Sequence, residues 1–245
     1  MKKIKSLLVV FENELAPDQI GQFRAAVIEH TDRKEDLFHN HRSEKGYHYR
    51  YPLIQYKRIR NQAALLCLEQ GTQTVHAFLG QPDLQLRIGR STQRLVVDRV
   101  ALNNVLLQVW TRDISYRLRG WQALSQKNYR KWRELDGSSL ALRVSFLERI
   151  LIGNILSACQ GLGFFLEDRL VVKITSFQNG PLVKFKQLQV QTFNVDFTAN
   201  VSLPDHIGLG KGASTGFGVL TAKRQHQRQP EEAAPKVNLS SRQDA

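Results

Sequence analysis

Residues Ala63 to Gly80, AALLCLEQGTQTVHAFLG, place an apolar strand pattern directly before a short helix pattern. The run from Ala63 to Glu69 has the length and apolar content of a buried strand. The helix pattern begins at Gly71 and ends at Gly80, where a glycine can terminate the helix. The elements before and after this pair therefore decide which α+β fold the chain adopts.

The surrounding segments complete a ferredoxin-like order of elements. Leu7 to Phe11 is typical of a buried strand, and Pro17 begins a segment with apolar residues at helical spacing. Alternation from Tyr47 to Leu53 predicts a strand before a turn at Arg60-Asn61. Alternation from Leu84 to Ile88 predicts a closing strand. The order strand, helix, strand, strand, helix, strand is that of the ferredoxin-like unit.

The second half has a similar but less regular order. Leu140 to Cys159 is the clearest helix of the chain, and a basic helix pattern precedes it from Ser125 to Glu134. Strands are predicted at residues 105–116, 170–174, 193–203 and 216–223. A strand, helices and several strands predict a second, degenerate ferredoxin-like unit, although the two halves share no repeated sequence.

The predicted fold class is α+β, with two tandem ferredoxin-like units and a C-terminal glycine-rich loop. The N-terminal domain is expected at residues 1–103, and the C-terminal domain at residues 104–223 with the loop at 208–218. Residues 224–245 are rich in Gln, Arg, Pro, Glu and Ser. Such a segment buries too little apolar surface to order itself, which predicts a disordered tail.

Composition favours a polyanionic partner. The 245 residues include 35 Lys plus Arg against 22 Asp plus Glu, a formal net charge of +13, which favours nucleic acid before an acidic membrane surface or acidic protein. The two cysteines, Cys67 and Cys159, form neither a disulfide framework nor a four-cysteine zinc site. No apolar run reaches the ~18 residues of a membrane span, and the first residues lack a secretory pattern. We expect a cytoplasmic protein.

Residues 208–218, Gly-Leu-Gly-Lys-Gly-Ala-Ser-Thr-Gly-Phe-Gly, contain five of the 16 glycines. Exposed N–H groups in such a loop can cradle phosphate oxygens, and Lys211 adds a positive charge. The segment lacks the Lys-Ser/Thr ending of a P-loop. It also lacks the following strand–helix unit and distal acid of a dinucleotide site. Glycine content alone favours a flexible hairpin turn.

The spacing of these glycines resembles the signature of the repeat-processing endoribonucleases of CRISPR systems, which belong to the superfamily of repeat-associated mysterious proteins. Here the signature is Gly208-Leu209-Gly210, five further residues, and then Gly216-Phe217-Gly218 followed by Val219-Leu220. The tandem ferredoxin-like units of that family resemble the two halves of this chain. The resemblance therefore covers about residues 3 to 223.

The resemblance implies that the chain binds the repeat RNA of a CRISPR transcript and cuts it once per repeat without a metal or other cofactor. The 2′-hydroxyl next to the scissile phosphate attacks, leaving a 2′,3′-cyclic phosphate (or 3′-phosphate) and a 5′-hydroxyl. Such chemistry needs a base near the 2′-oxygen, an acid near the leaving oxygen and positive charge on the phosphorane.

The family position of the catalytic histidine matches His39, after the first helix, and some members have a lysine six residues later, here Lys45. An unperturbed histidine titrates near ~6.5 and can act as acid or base, while a lysine stays cationic. His41 is the rival, and in an extended segment His39 and His41 would share a face as a base/acid pair. Some members use a tyrosine in the first helix. No tyrosine precedes Tyr47 here, so that role is vacant or filled by Tyr47, Tyr49 or His41.

No metal site is predicted. His39, His41 and His48 lie near one another in sequence, but no carboxylate or cysteine completes an obvious ligand set. The basic segments and the glycine signature instead predict a surface that binds RNA. The predicted RNA-binding residues are Gly208, Gly210, Lys211, Gly212, Ser214, Gly216 and Gly218 in the loop, Lys57 and Arg58 after the tyrosine-rich segment, and Arg130 and Lys131 in the basic helix.

Three functions follow from these patterns. The first is the metal-independent endoribonuclease that matures CRISPR RNA. The second is a non-catalytic RNA-binding subunit that assembles with other subunits of a CRISPR effector complex. The third is a general nucleic-acid-binding protein whose glycine loop is a coincidence. Cleavage of repeat RNA in excess chelator distinguishes the first, and preference for repeat RNA over unrelated RNA at ~0.2 M salt excludes the third.

Overall fold

The N-terminal half folds as a four-stranded antiparallel sheet with helices on one face. The computed structural model describes residues 1–31, 36–39, 51–185 and 188–223. In chain order the elements of this half are β1 (Lys2–Glu14), α1 (Ile20–His30), α2 (Asp36–His39), β2 (Ile54–Ile59), β3 (Gln62–Leu68), α3 (Gly71–Leu79), β4 (Gln85–Ile88), β5 (Ser91–Arg94) and β6 (Val97–Leu107). The sheet has the order β2-β3-β1-β6, which is the ferredoxin-like topology.

The prediction that Leu84 to Ile88 form the closing strand of this sheet was wrong. Residues 85–88 pair with β5 in a separate two-stranded sheet, and β6 closes the main sheet beside β1. The alternation from Leu84 to Ile88 is real, because Leu86 and Ile88 are buried in the core under the helices. The sequence of β6 does not show the pattern of a buried strand, because Val100 and Leu102 lie at the uncovered edge of the sheet and remain exposed.

The strand expected from Tyr47 to Leu53 begins later than predicted. Residues 51–53 are not in a strand, residues 47–50 lie outside the described residues, and β2 begins at Ile54. Four successive residues at the start of β2, Ile54 to Lys57, are buried. The strand therefore has both faces covered and lacks the polar alternation used to find half-exposed strands. The predicted turn at Arg60-Asn61 is confirmed, with positive φ at both residues.

The C-terminal half repeats the sheet topology with a different set of helices. Its elements are β7 (Val109–Trp121), α4 (Gln126–Glu134), α5 (Leu140–Gly161), β8 (Val172–Phe185), β9 (Leu188–Val201) and β10 (Val219–Ala222). Ser125 and Ser139 cap α4 and α5, each accepting a backbone hydrogen bond from three residues further on. The strand order β8-β9-β7-β10 matches that of the first sheet, so the predicted tandem ferredoxin-like fold is confirmed.

The second unit lacks the helix between its third and fourth strands. A ferredoxin-like unit has a helix between its third and fourth strands, and α3 occupies that place in the first unit. Residues 202–218, all of them described, connect β9 to β10 without a helix. The glycine-rich stretch therefore stands where the fold would otherwise carry a helix.

Two apolar cores hold the chain together. One lies between the helices and the outer face of the first sheet, around Phe23, Tyr56 and Phe78. The larger one joins the opposite face of that sheet, including Leu8 and Leu66, to the C-terminal half. The strand β1 is thus buried on both faces, which explains its continuous apolar run. Both cysteines lie inside these cores as free thiols.

One prediction concerns residues that the structure does not describe. The tail at 224–245, expected to be disordered, lies outside the described residues. Among the described ranges, no helix is both long and apolar enough to cross a membrane.

Gly161 allows α5 to pack against the first unit, and its substitution tests this packing. A Cβ at this position would lie 2.0 Å from Cβ of Tyr51, so Gly161→Ala should lower the free energy of unfolding by about 1–3 kcal/mol through overpacking. Gly153 on the same helix is the matched control. A Cβ there meets nothing within 4 Å, and Gly153→Ala should raise stability by up to about 1 kcal/mol. Urea unfolding of both variants measures the difference, and equal stabilities would contradict the proposed packing.

Candidate functional site

The segment from Gly208 to Gly218 lies between the two ferredoxin-like units and bonds to both. Its residues form single β-bridges with the first unit (Thr215 to Tyr56) and with the second (Lys211 to Gln122). Buried side chains of this segment, including Leu209 and Ala213, anchor it to the interior. The segment is therefore held at both sides and does not form a free hairpin turn.

A closed ring of buried hydrogen bonds fixes the start of the segment. The Tyr51 hydroxyl donates to the Gly208 carbonyl oxygen at 2.6 Å, and the Gly208 N–H donates to Oε1 of Gln55 at 2.8 Å. Nε2 of Gln55 then donates to the Tyr51 hydroxyl at 3.0 Å. Both polar groups of the Gly208 backbone are thus satisfied by side chains of the first unit, which defines the position of this glycine.

Lys57 holds the middle of the segment from inside the interface. Its side chain is fully buried, and Nζ donates to the Ala213 carbonyl oxygen at 3.0 Å. Burial lowers the pKa of Lys57 to about 7. A Cβ at position 208 would lie 2.8 Å from this Nζ, so Gly208 leaves the space that the ammonium occupies. Lys57, predicted to contact RNA, therefore contacts the protein backbone and is not at the surface in this structure.

Two further glycines are required by backbone conformation and close packing. Gly210 has φ +84° and lies against the Trp121 indole and the Asn154 side chain. Gly218 has φ +57°, and a Cβ there would lie 2.0 Å from the Leu209 carbonyl oxygen. Because residues with a Cβ rarely adopt positive φ, Gly210 and Gly218 each have a structural reason.

The outer part of the segment presents backbone N–H groups. Within the described part of the chain, the N–H groups of Gly212 and Ser214 have no hydrogen-bond partner, and these residues are half-buried. Lys211 is exposed beside them. Free N–H groups close together next to a cation can bind phosphate oxygens.

Tyr56 links this segment to the backbone that precedes His39. Its N–H donates to the Ser214 carbonyl oxygen at 2.9 Å, and its hydroxyl donates to the Phe38 carbonyl oxygen at 3.4 Å. Phe38 is buried, with its ring centroid 6.0 Å from that of Phe78. The end of α2, where His39 lies, is therefore anchored next to the glycine segment.

The remaining predicted catalytic groups are not described. The side chain of His39 lies outside the described atoms, and His41 and Lys45 lie outside the described residues. Arg24 of α1, which sequence reasoning missed, lies with its guanidinium carbon 6.0 Å from the centroid of the Tyr56 ring. No local pattern marks this arginine, because only the packing of α1 on β2 brings it there.

Of the other predicted RNA-binding residues, Arg58 is hydrogen-bonded within the protein, whereas Arg130 and Lys131 are exposed. Nε of Arg58 donates to the Leu15 carbonyl oxygen at 2.6 Å, and Nη2 donates to the Asn61 side chain. Arg58 therefore stabilises the strand end. Arg130 and Lys131 are both exposed on α4.

His206, just before the glycines, lies beside a cavity of about 580 Å³ on the first sheet. Burial lowers the pKa of His206, and the nearby charges of Lys57 and Arg99 act in the same direction, while Asp205 opposes them. This histidine lies next to the segment, with its Nε2 3.5 Å from Oδ2 of Asp205.

Across the described ranges, no three His, Cys, Asp or Glu side chains cluster as metal ligands do. The side chains of His39, His41 and His48 lie outside the described atoms, so the absence of a metal site stays a prediction.

The chain has two tandem ferredoxin-like units, and its glycine segment is hydrogen-bonded to both of them. This combination defines the class of protein that the chain resembles. Family models of the Cas6b N-terminal and C-terminal domains match residues 2–105 and 108–223. The chain belongs to the Cas6b family. The resemblance inferred from the glycine spacing is thereby confirmed.

Solved structures agree with this assignment. A crystal structure of Cas6b is 27% identical in sequence, with a TM-score of 0.81, and the match covers 91% of this chain and 100% of that chain. A crystal structure of the CRISPR RNA processing endoribonuclease Cas6b has a TM-score of 0.68 at 24% identity, with the same coverage. The uncharacterized protein MJ0978 of Methanocaldococcus jannaschii is 35% identical over 98 residues, which is 40% of this chain and 64% of that relative.

The buried Lys57 predicts a pH dependence of stability. Its pKa in the folded chain is about 7, against an ordinary value of 10.5, so the unfolded chain binds more protons between these values. The free energy of unfolding should therefore rise with pH in this window because of Lys57, by at most about 1.4 kcal/mol per pH unit. Urea unfolding from pH 7 to 10 should show a shallower rise for Lys57→Met. Lys211→Met makes the same change at an exposed position and should follow the wild type, and parallel profiles for all three proteins would contradict a buried Lys57.

Proposed function

We propose that this chain is a metal-independent endoribonuclease that binds CRISPR repeat RNA and cleaves precursor CRISPR RNA. The observation that carries the proposal is the link through Tyr56 between the glycine segment and the residue before His39. In a member of the Cas6b family, this link supports a site made of the glycine segment, as the proposed phosphate-binding backbone, and the helix end that carries His39. A similar solved protein is described as a CRISPR RNA processing endoribonuclease.

The scissile phosphate is proposed to bind at the outer part of the glycine segment. The N–H groups of Gly212 and Ser214 have no partner in the described part of the chain, and Lys211 is exposed next to them. Charge-assisted hydrogen bonds from backbone N–H groups would hold the phosphate oxygens and stabilise the phosphorane as its charge grows. The buried bonds of Gly208 and Ala213 keep these donors fixed before RNA binds.

The proposed reaction is an internal transfer of the phosphoryl group. His39 removes the proton of the 2′-hydroxyl, the 2′-oxygen forms a bond to phosphorus, and the bond from phosphorus to the 5′-oxygen breaks. The leaving 5′-oxygen takes a proton from His41 or Lys45, and Lys45 also offsets the charge of the phosphorane. The products are a 2′,3′-cyclic phosphate and a 5′-hydroxyl, and no metal enters any step.

His39→Ala tests the proposed catalytic residue. Loss of one acid–base group should lower the single-turnover rate of repeat-RNA cleavage by about 10²- to 10⁴-fold, with little change in affinity. His76→Ala is the matched control, because His76 is an exposed histidine on α3 of the same unit. Cleavage is measured in excess chelator, with chemical identification of both product ends.

The outcomes separate the proposal from its alternatives. Wild-type cleavage in chelator that leaves a cyclic phosphate, together with an inert 2′-deoxy substrate, would support the mechanism. Normal cleavage by His39→Ala would remove His39 from it. Repeat-specific binding without cleavage at any pH would indicate a non-catalytic subunit of an effector complex instead.

A further inference from the structure

A groove runs between α4 and α5 on the C-terminal unit. It has a volume of about 630 Å³. Among its lining residues are Asn128, Lys131 and Glu134 on α4 and Arg149, Gly153 and Asn154 on α5. No step of the proposed reaction uses these residues.

The groove has the charge that a nucleic-acid strand requires. Lys131 and Arg149 are exposed on its opposite walls. The helix α4, QKNYRKWRE, carries four cationic side chains and a single carboxylate, Glu134. Cations on two facing walls can contact successive phosphates of one strand, since long side chains reach several ångströms from the helix axis.

Packing holds the two walls in place. Trp132 of α4 is buried, with its ring centroid 5.3 Å from that of Phe193. The guanidinium of Arg143 from α5 lies 4.2 Å from the centroid of the Trp132 ring. These contacts fix α4 against α5 and leave the basic side of α4 to the solvent, so the groove exists before a ligand binds.

One residue of the groove packs next to the glycine segment. Asn154 lines the groove, and its Oδ1 accepts a hydrogen bond from Nε1 of Trp121 at 2.9 Å. Gly210 packs on this pair, because a Cβ there would lie 2.8 Å from Nε1 of Trp121 and 3.0 Å from Oδ1 of Asn154. The next residue, Lys211, is exposed. The groove and the glycine segment therefore adjoin at Asn154.

We propose that the groove between α4 and α5 binds a single-stranded stretch of the RNA that flanks the phosphate held by the glycine segment. Lys131 and Arg149 contact its phosphates, and the amides of Asn128 and Asn154 are the groups that reach ribose or base edges. This inference rests on the proposed function, because it extends the path of the same RNA.

Charge removal in the groove tests the proposal with a non-cleavable repeat RNA that carries a 2′-deoxy residue at the cleavage position. The double variant Lys131→Ala/Arg149→Ala should bind at least about tenfold more weakly, and the slope of log affinity against log salt should fall by about 1.4. Lys127→Ala/Arg133→Ala removes the same charge from α4 outside the groove lining. This control should keep the wild-type slope.

A second test adds charge without a steric clash. Nothing lies within 4 Å of a Cβ built on Gly153, so a side chain can begin at that position without a clash at its Cβ. Gly153→Glu should weaken binding of the same RNA relative to the isosteric Gly153→Gln. Glu134→Gln, which removes the carboxylate of the groove, should strengthen binding.

The outcomes for the groove and for the proposed function are distinguishable. Cleavage by the wild type together with wild-type RNA affinity in all groove variants would overturn the groove proposal alone, and would indicate a groove for an acidic protein segment or for no ligand. A wild-type protein that neither binds nor cleaves repeat RNA would overturn both proposals.

Discussion

The buried hydrogen bonds between strand β2 and the glycine segment are the constraint on which the rest of the site depends. Gln55 and Lys57 extend from the same face of β2, and their polar ends reach backbone atoms of residues 208 and 213. An unpaired polar group in this interior would lose solvation without compensation, which disfavours any other position of the segment. Burying the charged form of Lys57 costs folding free energy, because the ammonium loses its hydration. The same loss of hydration lowers the pKa of this lysine.

Strand β2 transmits this constraint to the proposed catalytic end of α2. Its residues alternate between two faces, so Tyr56 lies on the helix side between Gln55 and Lys57. The Phe23 and Tyr56 rings pack edge to face with 5.8 Å between their centroids, which helps to fix the hydroxyl that donates to Phe38. One strand of six residues thus sets the distance between the glycine donors and the backbone next to His39.

Much of the fold was predictable because its signals are local, whereas the role of individual site residues was not. The turn at Arg60-Asn61 and the helix from Gly71 follow from turn chemistry and apolar spacing within a few residues. Lys57 instead looks like a surface cation at the end of a strand, and nothing near it in sequence predicts burial. Its partner Ala213 lies 156 positions away, and Gln55 and Gly208 are 153 positions apart. The glycine spacing nevertheless indicated the family. A family signature reflects contacts between residues far apart in sequence, but it does not say which residues make those contacts.

The surplus of positive charge is mostly unneutralised within the part of the chain that the structure describes. There, Arg117 and Lys223 form ion pairs with Asp196, and Arg143 forms one with Asp136. The hydrogen bonds from Arg117 and Lys223 hold the pKa of Asp196 near 2, which indicates that this carboxylate stays ionised and paired. The exposed cations of α4 and Lys211 have no such partner among the ion pairs of the described residues. A net charge of +13 with these cations unpaired favours an external polyanion. If the proposed function is correct, the affinity for RNA should fall steeply with salt.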